Sequence, residues 1–342
     1  MDIKMLATDL DGTLLDDWKR ITEKNRQALQ EASASGMQVV LCTGRPFHTV
    51  RPYLPGLNIP CWLITNNGAV IRNPQLEVVR ERTITPQVLK TVLKVLRKKP
   101  AVYFHGSDST RTYVESRLTR MWYVYRFERK GKKPVVDALA SAVKHSWFSG
   151  SLHRVSFDEL ASTESVQLTN LILISSNTRR LEQKRTELER IDGIFVTRSG
   201  NDNLEMVEGS THKGSALQWL TAHLGMGMEN VAAIGDHDND ITMIQGAGMG
   251  FATENAEPDL KKQARYVTRS NNEDALWHML QMVKSSQKKP NPERGSKHQN
   301  HQHGGSPDHY DGSPGNGLVF YSVMSPQQHA DGKNLKDPLI RQ

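Results

Sequence analysis

The stretch Ile3-Lys4-Met5-Leu6-Ala7-Thr8-Asp9-Leu10-Asp11-Gly12-Thr13 is an apolar run that ends on two acids and a glycine. Residues 3–8 read as a short buried strand, and Gly12 marks the tight turn by which the chain leaves it. The pattern then repeats. Residues 22–35 read as a helix, with Thr22 as N-cap, an apolar stripe of Ala28, Leu29 and Ala32, and Gly36 just past its end. Residues 37–42 are a second apolar run, followed at once by Thr43-Gly44-Arg45-Pro46; residues 62–65 are a third, followed by Asn66-Asn67-Gly68-Ala69. Strand, helix, strand, with polar residues after each strand, is the sequence form of a parallel sheet whose carboxyl ends carry the site.

Much later, the apolar run 231–234 ends in Gly235-Asp236-His237-Asp238-Asn239-Asp240. Acidic clusters at the ends of two strands are costly unless a cation sits between them. Carboxylates suit Mg²⁺, which takes one or two of them and completes its shell with water and substrate phosphate. The expectation is phosphoryl chemistry. Asp9 can serve as nucleophile and metal ligand. Asp11 can protonate a leaving oxygen and then deprotonate water, provided its pKa is held above that of Asp9. Thr43, with the Gly44 amide beside it, can hold a phosphate oxygen. Lys213, opening a helix after Gly209-Ser210-Thr211-His212, can neutralise phosphate and Asp9 together. Asp236 is the natural second metal carboxylate, and Asn239 and Asp240 can orient Lys213, the metal's waters or the phosphate.

The intervening segment has another character. Residues 86–98 read as an amphipathic helix, 102–105 and 112–115 as strands, 126–133 as a basic surface loop, 170–175 as a strand and 178–190 as a charged helix. The first pattern resumes near Val196, with 204–207 taken as a strand, 213–224 as a helix, 248–252 and 266–268 as short strands, and a closing helix at 273–283. The fold class is therefore α/β. The partition is a discontinuous core over 1–84 and 196–284, an inserted cap that sets substrate specificity over 85–195, and a tail over 285–342. That tail is rich in Pro, Gly, Ser, His, Asn and Gln, a composition that cannot offset chain entropy by burial, so disorder is expected there.

Four polar clusters in one chain order resemble the ordered motifs of the haloacid dehalogenase superfamily: Asp9-Leu10-Asp11-Gly12-Thr13, Thr43-Gly44-Arg45, Lys213, and Gly235-Asp236 with Asn239-Asp240. Asn66-Asn67-Gly68-Ala69, Thr211-His212-Lys213-Gly214 and Asn239-Asp240-Ile241 are similar, more narrowly, to its Cof-like branch. The similarity spans about residues 1–283. It implies a Rossmann-like core, a large α/β cap between the second and third motifs, and Mg²⁺-dependent hydrolysis of phosphate monoesters. By that resemblance Asp9 is the nucleophile and Asp11 the acid/base. The Asp9 side chain, the Asp11 backbone carbonyl and Asp236 hold Mg²⁺, and Thr43, Gly44, Lys213 and Asn239 contact phosphate. Substrates of such proteins include sugar phosphates, flavin mononucleotide and pyridoxal phosphate. Two alternatives stand beside a phosphatase: a sugar phosphomutase, and an idle protein that binds a phosphorylated ligand.

The formal net charge of +7 favours an anionic small-molecule substrate by weak steering, and no recognition motif supports nucleic acid. Cys42 and Cys61 are too few for a disulfide framework and are expected as buried thiols. Neither a signal peptide nor a membrane span is read in the chain, and a cytoplasmic protein is expected. In the cap, Arg111, His105 and Tyr113 lie in a hairpin that could face the core.

Overall fold

The computed structural model describes residues 2–98, 102–130, 133–147, 150–163 and 166–288. Fourteen strands occur among them: β1 (Met5–Thr8), β2 (Gln38–Cys42), β3 (Trp62–Thr65), β4 (Val70–Arg72), β5 (Val78–Glu81), β6 (Tyr103–Ser107), β7 (Thr112–Val114), β8 (Leu152–Arg154), β9 (Asn170–Ile174), β10 (Ile194–Thr197), β11 (Asn203–Glu208), β12 (Val231–Gly235), β13 (Met249–Ala252) and β14 (Tyr266–Val267). The helices are α1 (Glu23–Ala34), α2 (Phe47–Val50), α3 (Pro86–Arg97), α4 (Arg117–Lys130), α5 (Val135–Trp147), α6 (Phe157–Leu160), α7 (Thr178–Leu188), α8 (Lys213–His223), α9 (Ile241–Gly246), α10 (Pro258–Gln263) and α11 (Ala275–Lys288).

An eight-stranded sheet runs in the order β14-β13-β12-β1-β2-β3-β4-β5. It is parallel from β14 through β3, and β4 and β5 add an antiparallel edge. Side chains alternate across its faces. Leu6, Val39, Leu41, Leu63, Ala232 and Ile234 pack on one side against Ala28, Leu29 and Ala32 of α1 and Leu276, Met279 and Leu280 of α11. Met5, Ala7, Val40, Cys42, Ile64 and Ala233 pack on the other against Ala216, Leu217 and Leu220 of α8 and Met243 and Ile244 of α9. Such a sheet is covered on both faces, which is why its strands read as unbroken apolar runs. Helix α1 starts where its cap dictates: the Thr22 hydroxyl accepts from the Asn25 amide at 3.3 Å, and Gly36 takes φ +86° beyond its end.

A second, six-stranded sheet runs β10-β11-β9-β6-β7-β8, antiparallel except for β7 with β8. It has its own core, in which Leu89, Val92 and Leu96 of α3 meet Leu171 and Leu173 of β9.

Several expectations need correction. The core was to resume at 196 with 204–207 as one of its strands, but β10 and β11 pair antiparallel within the smaller sheet, where Leu204 and Met206 join that sheet's core. A short apolar run does not say which sheet it completes. The basic stretch 126–133, expected as a loop, continues α4 as far as Lys130. The closing helix runs through Lys288, so residues 285–288 of the expected tail are helical, and the Gln287 side chain donates to the Ile3 carbonyl at 3.1 Å. The rest of the tail expectation, 289–342, lies outside the described residues.

Candidate active site

Strands β1 and β12 are parallel neighbours with Thr8 opposite Ile234, so Asp9 and Asp236 leave the sheet side by side. This is where strand order reverses: the chain steps outward through β2 and β3, and later outward the other way through β13 and β14. A crevice opens at such a switch point, at the carboxyl ends of the strands. Thr43 follows β2 directly and its amide donates to the Ile64 carbonyl at 2.8 Å. Lys213 is the first residue of α8, capped by the His212 imidazole, which accepts from the Ser215 amide at 3.0 Å. The next residue must be glycine, since a Cβ on Gly214 would stand 2.6 Å from the Thr242 carbonyl oxygen.

Lys213 is fully enclosed, and its ammonium donates to Asp9 Oδ1 at 2.6 Å and to Asp240 Oδ1 at 2.7 Å. Burial alone would depress it, but Asp240 and Asp9 outweigh burial and keep it charged. The other Asp240 oxygen accepts from the Asp236 and His237 amides at 3.0 and 3.1 Å. Asp240 is thus engaged on both oxygens, a brace between the lysine and the loop after β12. The Asp236 carboxylate accepts the Thr13 hydroxyl at 2.9 Å. Gly12, at φ +74°, is required twice over: a Cβ there would be strained and would stand 2.3 Å from an Asp236 oxygen.

These acids crowd one another. Burial, then the Asp240 and Asp11 charges, push Asp9 up to about 7 against the pull of Lys213. Burial and the charges of Asp9 and Asp240 hold Asp236 well above the ordinary carboxylate value. Carboxylate oxygens of Asp9, Asp236 and Asp240 can all lie within 4.8 Å of one another. Two facing acids whose charge is only partly matched, with hard oxygen donors, fit a divalent cation of the Mg²⁺ type. With Asp240 already braced, the free donors are those of Asp9 and Asp236.

Asp11 departs from expectation. Its carboxylate receives Arg45 Nε at 2.5 Å and Nη2 at 2.7 Å, and Lys19 Nζ at 2.7 Å. Burial would raise its pKa, but Arg45 and then Lys19 outweigh burial and hold it below the ordinary value. Asp11 therefore lies below Asp9, the reverse of the order that an acid at Asp11 requires, because two cations close on its side chain.

Thr43, Gly44 and Asn239 all line the cavity above Asp9. A polar chain runs behind them. Asn239 donates to Asn67 Oδ1 at 2.9 Å, Asn67 donates to Glu205, and Ser199 closes the chain by donating to the other Glu205 oxygen. Asn66 and Asn67 hold left-handed φ values of +51° and +54°, which asparagine tolerates better than most residues. Glu205 comes from β11, so the smaller sheet reaches into the crevice beside Asn67 and Asn239. Sequence reading missed it, although an acid between Leu204 and Met206 was a visible signal.

The cavity between the two sheets holds about 520 Å³. Of the three hairpin residues expected to face the core, His105 lines it, whereas Arg111 and Tyr113 line a separate cavity with Asp108, to which the Tyr113 hydroxyl donates at 2.7 Å. Arg45, from the Thr43-Gly44-Arg45 motif, lines the first cavity too; His48 from the core and Arg120 from α4 complete the wall and were not expected there. Cys42 and Cys61 are buried and unpaired, and burial raises both thiols, Cys61 to about 11.

Comparison with known proteins agrees with this geometry. The family model for haloacid dehalogenase-like hydrolases matches residues 6–280. Phosphatase YwpJ of Bacillus subtilis is 32% identical over 286 residues, covering 81% of this chain and 99% of that protein. The 5-amino-6-(5-phospho-D-ribitylamino)uracil phosphatase YcsE of the same organism is 31% identical over 276 residues, covering 81% of this chain and 94% of its own. A solved haloacid dehalogenase-like hydrolase from B. subtilis superposes with a TM-score of 0.71 at 29% identity, over 82% of this chain and 100% of that one.

Proposed function

Because this chain belongs to the haloacid dehalogenase-like hydrolases and is a phosphoric monoester hydrolase, we propose that it cleaves small phosphate monoesters through an aspartyl-phosphate on Asp9, with Mg²⁺ as cofactor. The observation that carries the reading is the buried Lys213 ammonium 2.6 Å from Asp9, beside a second acid on the neighbouring strand. The Asp9 and Asp236 carboxylates and the Asp11 backbone carbonyl would hold Mg²⁺. When bound, the ion neutralises the paired acids and the phosphoryl oxygens.

A carboxylate oxygen of Asp9 attacks phosphorus in line as the bond to the leaving oxygen breaks. Asp11, protonated once Arg45 and Lys19 have swung away from it, gives that oxygen its proton, and the alcohol departs. Water then attacks phosphorus, Asp11 takes its proton, the bond to Asp9 breaks, and phosphate leaves with both acids restored. Lys213, the Thr43 hydroxyl, the Gly44 amide and Asn239 meet the charge on the equatorial oxygens. Relatives named as phosphatases favour hydrolysis over a mutase or an idle binder. The substrate is a small phosphorylated molecule; no helix among the described residues is long and apolar enough to cross a membrane. Unpaired buried thiols suit the reducing cytoplasm, the compartment we assign.

The test is phosphate release from an aryl phosphate with and without Mg²⁺. Turnover should need the ion and vanish in Asp9→Asn. Undiminished turnover in that variant, or after chelation, overturns the proposal.

A further inference from the structure

Three polar atoms of the crevice wall are buried without a hydrogen-bond partner: Nδ1 of His48, Nδ1 of His105 and Nε of Arg120. They come from different parts of the fold, namely α2 of the core, β6 of the smaller sheet and α4 beside it. A buried polar group left unmet is costly, so three in one cavity are unexpected unless something polar enters between them. Together they make a donor-bearing wall built from elements other than the strand ends that carry Asp9 and Asp236.

Arg120 is held for the purpose. Its Nη1 donates to the Tyr103 hydroxyl at 3.2 Å, and the Tyr103 ring stacks on Tyr123 with centroids 4.3 Å apart. No salt bridge involves Arg120 among the described residues. Its charge reaches both imidazoles: burial first, then Arg120, lowers His48 and His105, so both rings are neutral near pH 7. A neutral imidazole offers one donor and one acceptor, and the guanidinium is the permanent charge of the trio. Asp202, in the β10–β11 loop, lines the same cavity and makes it less uniformly basic.

Resting on the reading of Asp9 as the phosphate end, we propose that Arg120, with His48 and His105 beside it, binds an acidic group at the far end of the substrate. The substrate class is thus a phosphate monoester that carries a second anion, a carboxylate or another phosphate, several bonds from the ester. A guanidinium recognises either oxyanion through paired N–H donors, and neutral imidazoles accommodate it without adding charge. Arg120 is a specificity residue in this account, acting on the substrate and not on the reacting atoms.

The test uses two matched series of linear alkyl phosphates, one ending in a carboxylate and one in a hydroxyl, with two to six carbons. An aryl phosphate serves as the neutral reference. In the intact protein kcat/KM for the acid-ended ester should exceed that for its hydroxyl-ended partner by about tenfold or more at one favoured length. Arg120→Ala should bring that ratio close to unity, and Arg120→Lys should restore part of it. Because the ratio is taken within one protein sample, loss of folded material cancels. A ratio near unity at every length in the intact protein overturns the inference without any variant. So does a preference that survives both Arg120→Ala and Arg120→Gln. If hydrolysis of the aryl phosphate is also absent, the phosphatase reading fails first and the inference falls with it; hydrolysis of the aryl phosphate without preference sinks the distal site alone.

Discussion

At the scale of single residues, the chemistry hangs on how two acids two positions apart are treated. Asp9 faces an enclosed ammonium, whereas Asp11 faces two cations at the cavity wall. An aryl phosphate has a good leaving group and needs little help from an acid, but hydrolysis of the aspartyl-phosphate still needs a base. Asp11→Asn should therefore show a burst of one phenolate per site and accumulate acid-stable, hydroxylamine-labile phosphate on the protein; steady release without a burst contradicts the assignment. Lys213→Met leaves two buried carboxylates without their cation, which should cost about 3–5 kcal/mol in denaturant unfolding. Mg²⁺ at one hundred times its Kd should add about 2.7 kcal/mol of stability to the native chain and nearly none to Asp236→Asn, as thermal melts would register. These residues were legible because each stands directly after a strand or at a helix start. Arg45, Asn67 and Arg120 were not legible as partners, since their roles depend on contacts between segments distant along the chain.

Among the elements, the parallel strands announced themselves and the smaller sheet did not. Buried on both faces, β1, β2, β3 and β12 carry no charged residue and are apolar but for Thr8, Gln38 and Thr65, and that run survives any choice of neighbour. In the smaller sheet β11 alternates, and alternation gives a face but not an address. In β11, Leu204 and Met206 turn to the smaller sheet's core while Glu205 and Val207 turn to the larger unit, where Val207 packs on Ala69 and Val70. The strand therefore looked like core sequence although it pairs elsewhere. Helix α4 was partly hidden because its residues alternate basic and aromatic without a clean stripe. Glu205 gives β11 a measurable signature. Burial raises its pKa above 4.5 despite hydrogen bonds from Ser199 and Asn67 and the Lys213 charge. A raised folded pKa means that the folded chain holds this proton more tightly than the unfolded chain. The contribution is complete below about pH 4.5 and is lost as pH rises through the folded value. Unfolding free energies followed upward from pH 4.5 should fall in the native chain, and Glu205→Gln should remove that part of the slope.

On the scale of the molecule, one chain leaves the larger sheet after β5, builds the smaller sheet, and returns through residues 209–212 to Lys213. The insertion thus separates the two pairs of motifs in sequence while their side chains meet in one crevice. The change of pattern after Arg82 falls where the chain passes from the larger sheet to the smaller, but its return was placed too early because β10 and β11 resemble core strands. Every site residue precedes Lys288, and the family match ends at residue 280. A chain ended after Lys288 should keep aryl phosphatase kcat within about twofold and the same melting temperature; a large loss of either would give the remaining residues a role. Lys213 carries one more corollary. An amine is acylated only as the free base and only where a reagent can approach, and this one is held as a cation with no surface open to solvent. Acetylating or carbamylating agents should decorate the exposed lysines and pass this one by, so the protein's central positive charge is insulated from covalent tampering for as long as the fold stays closed.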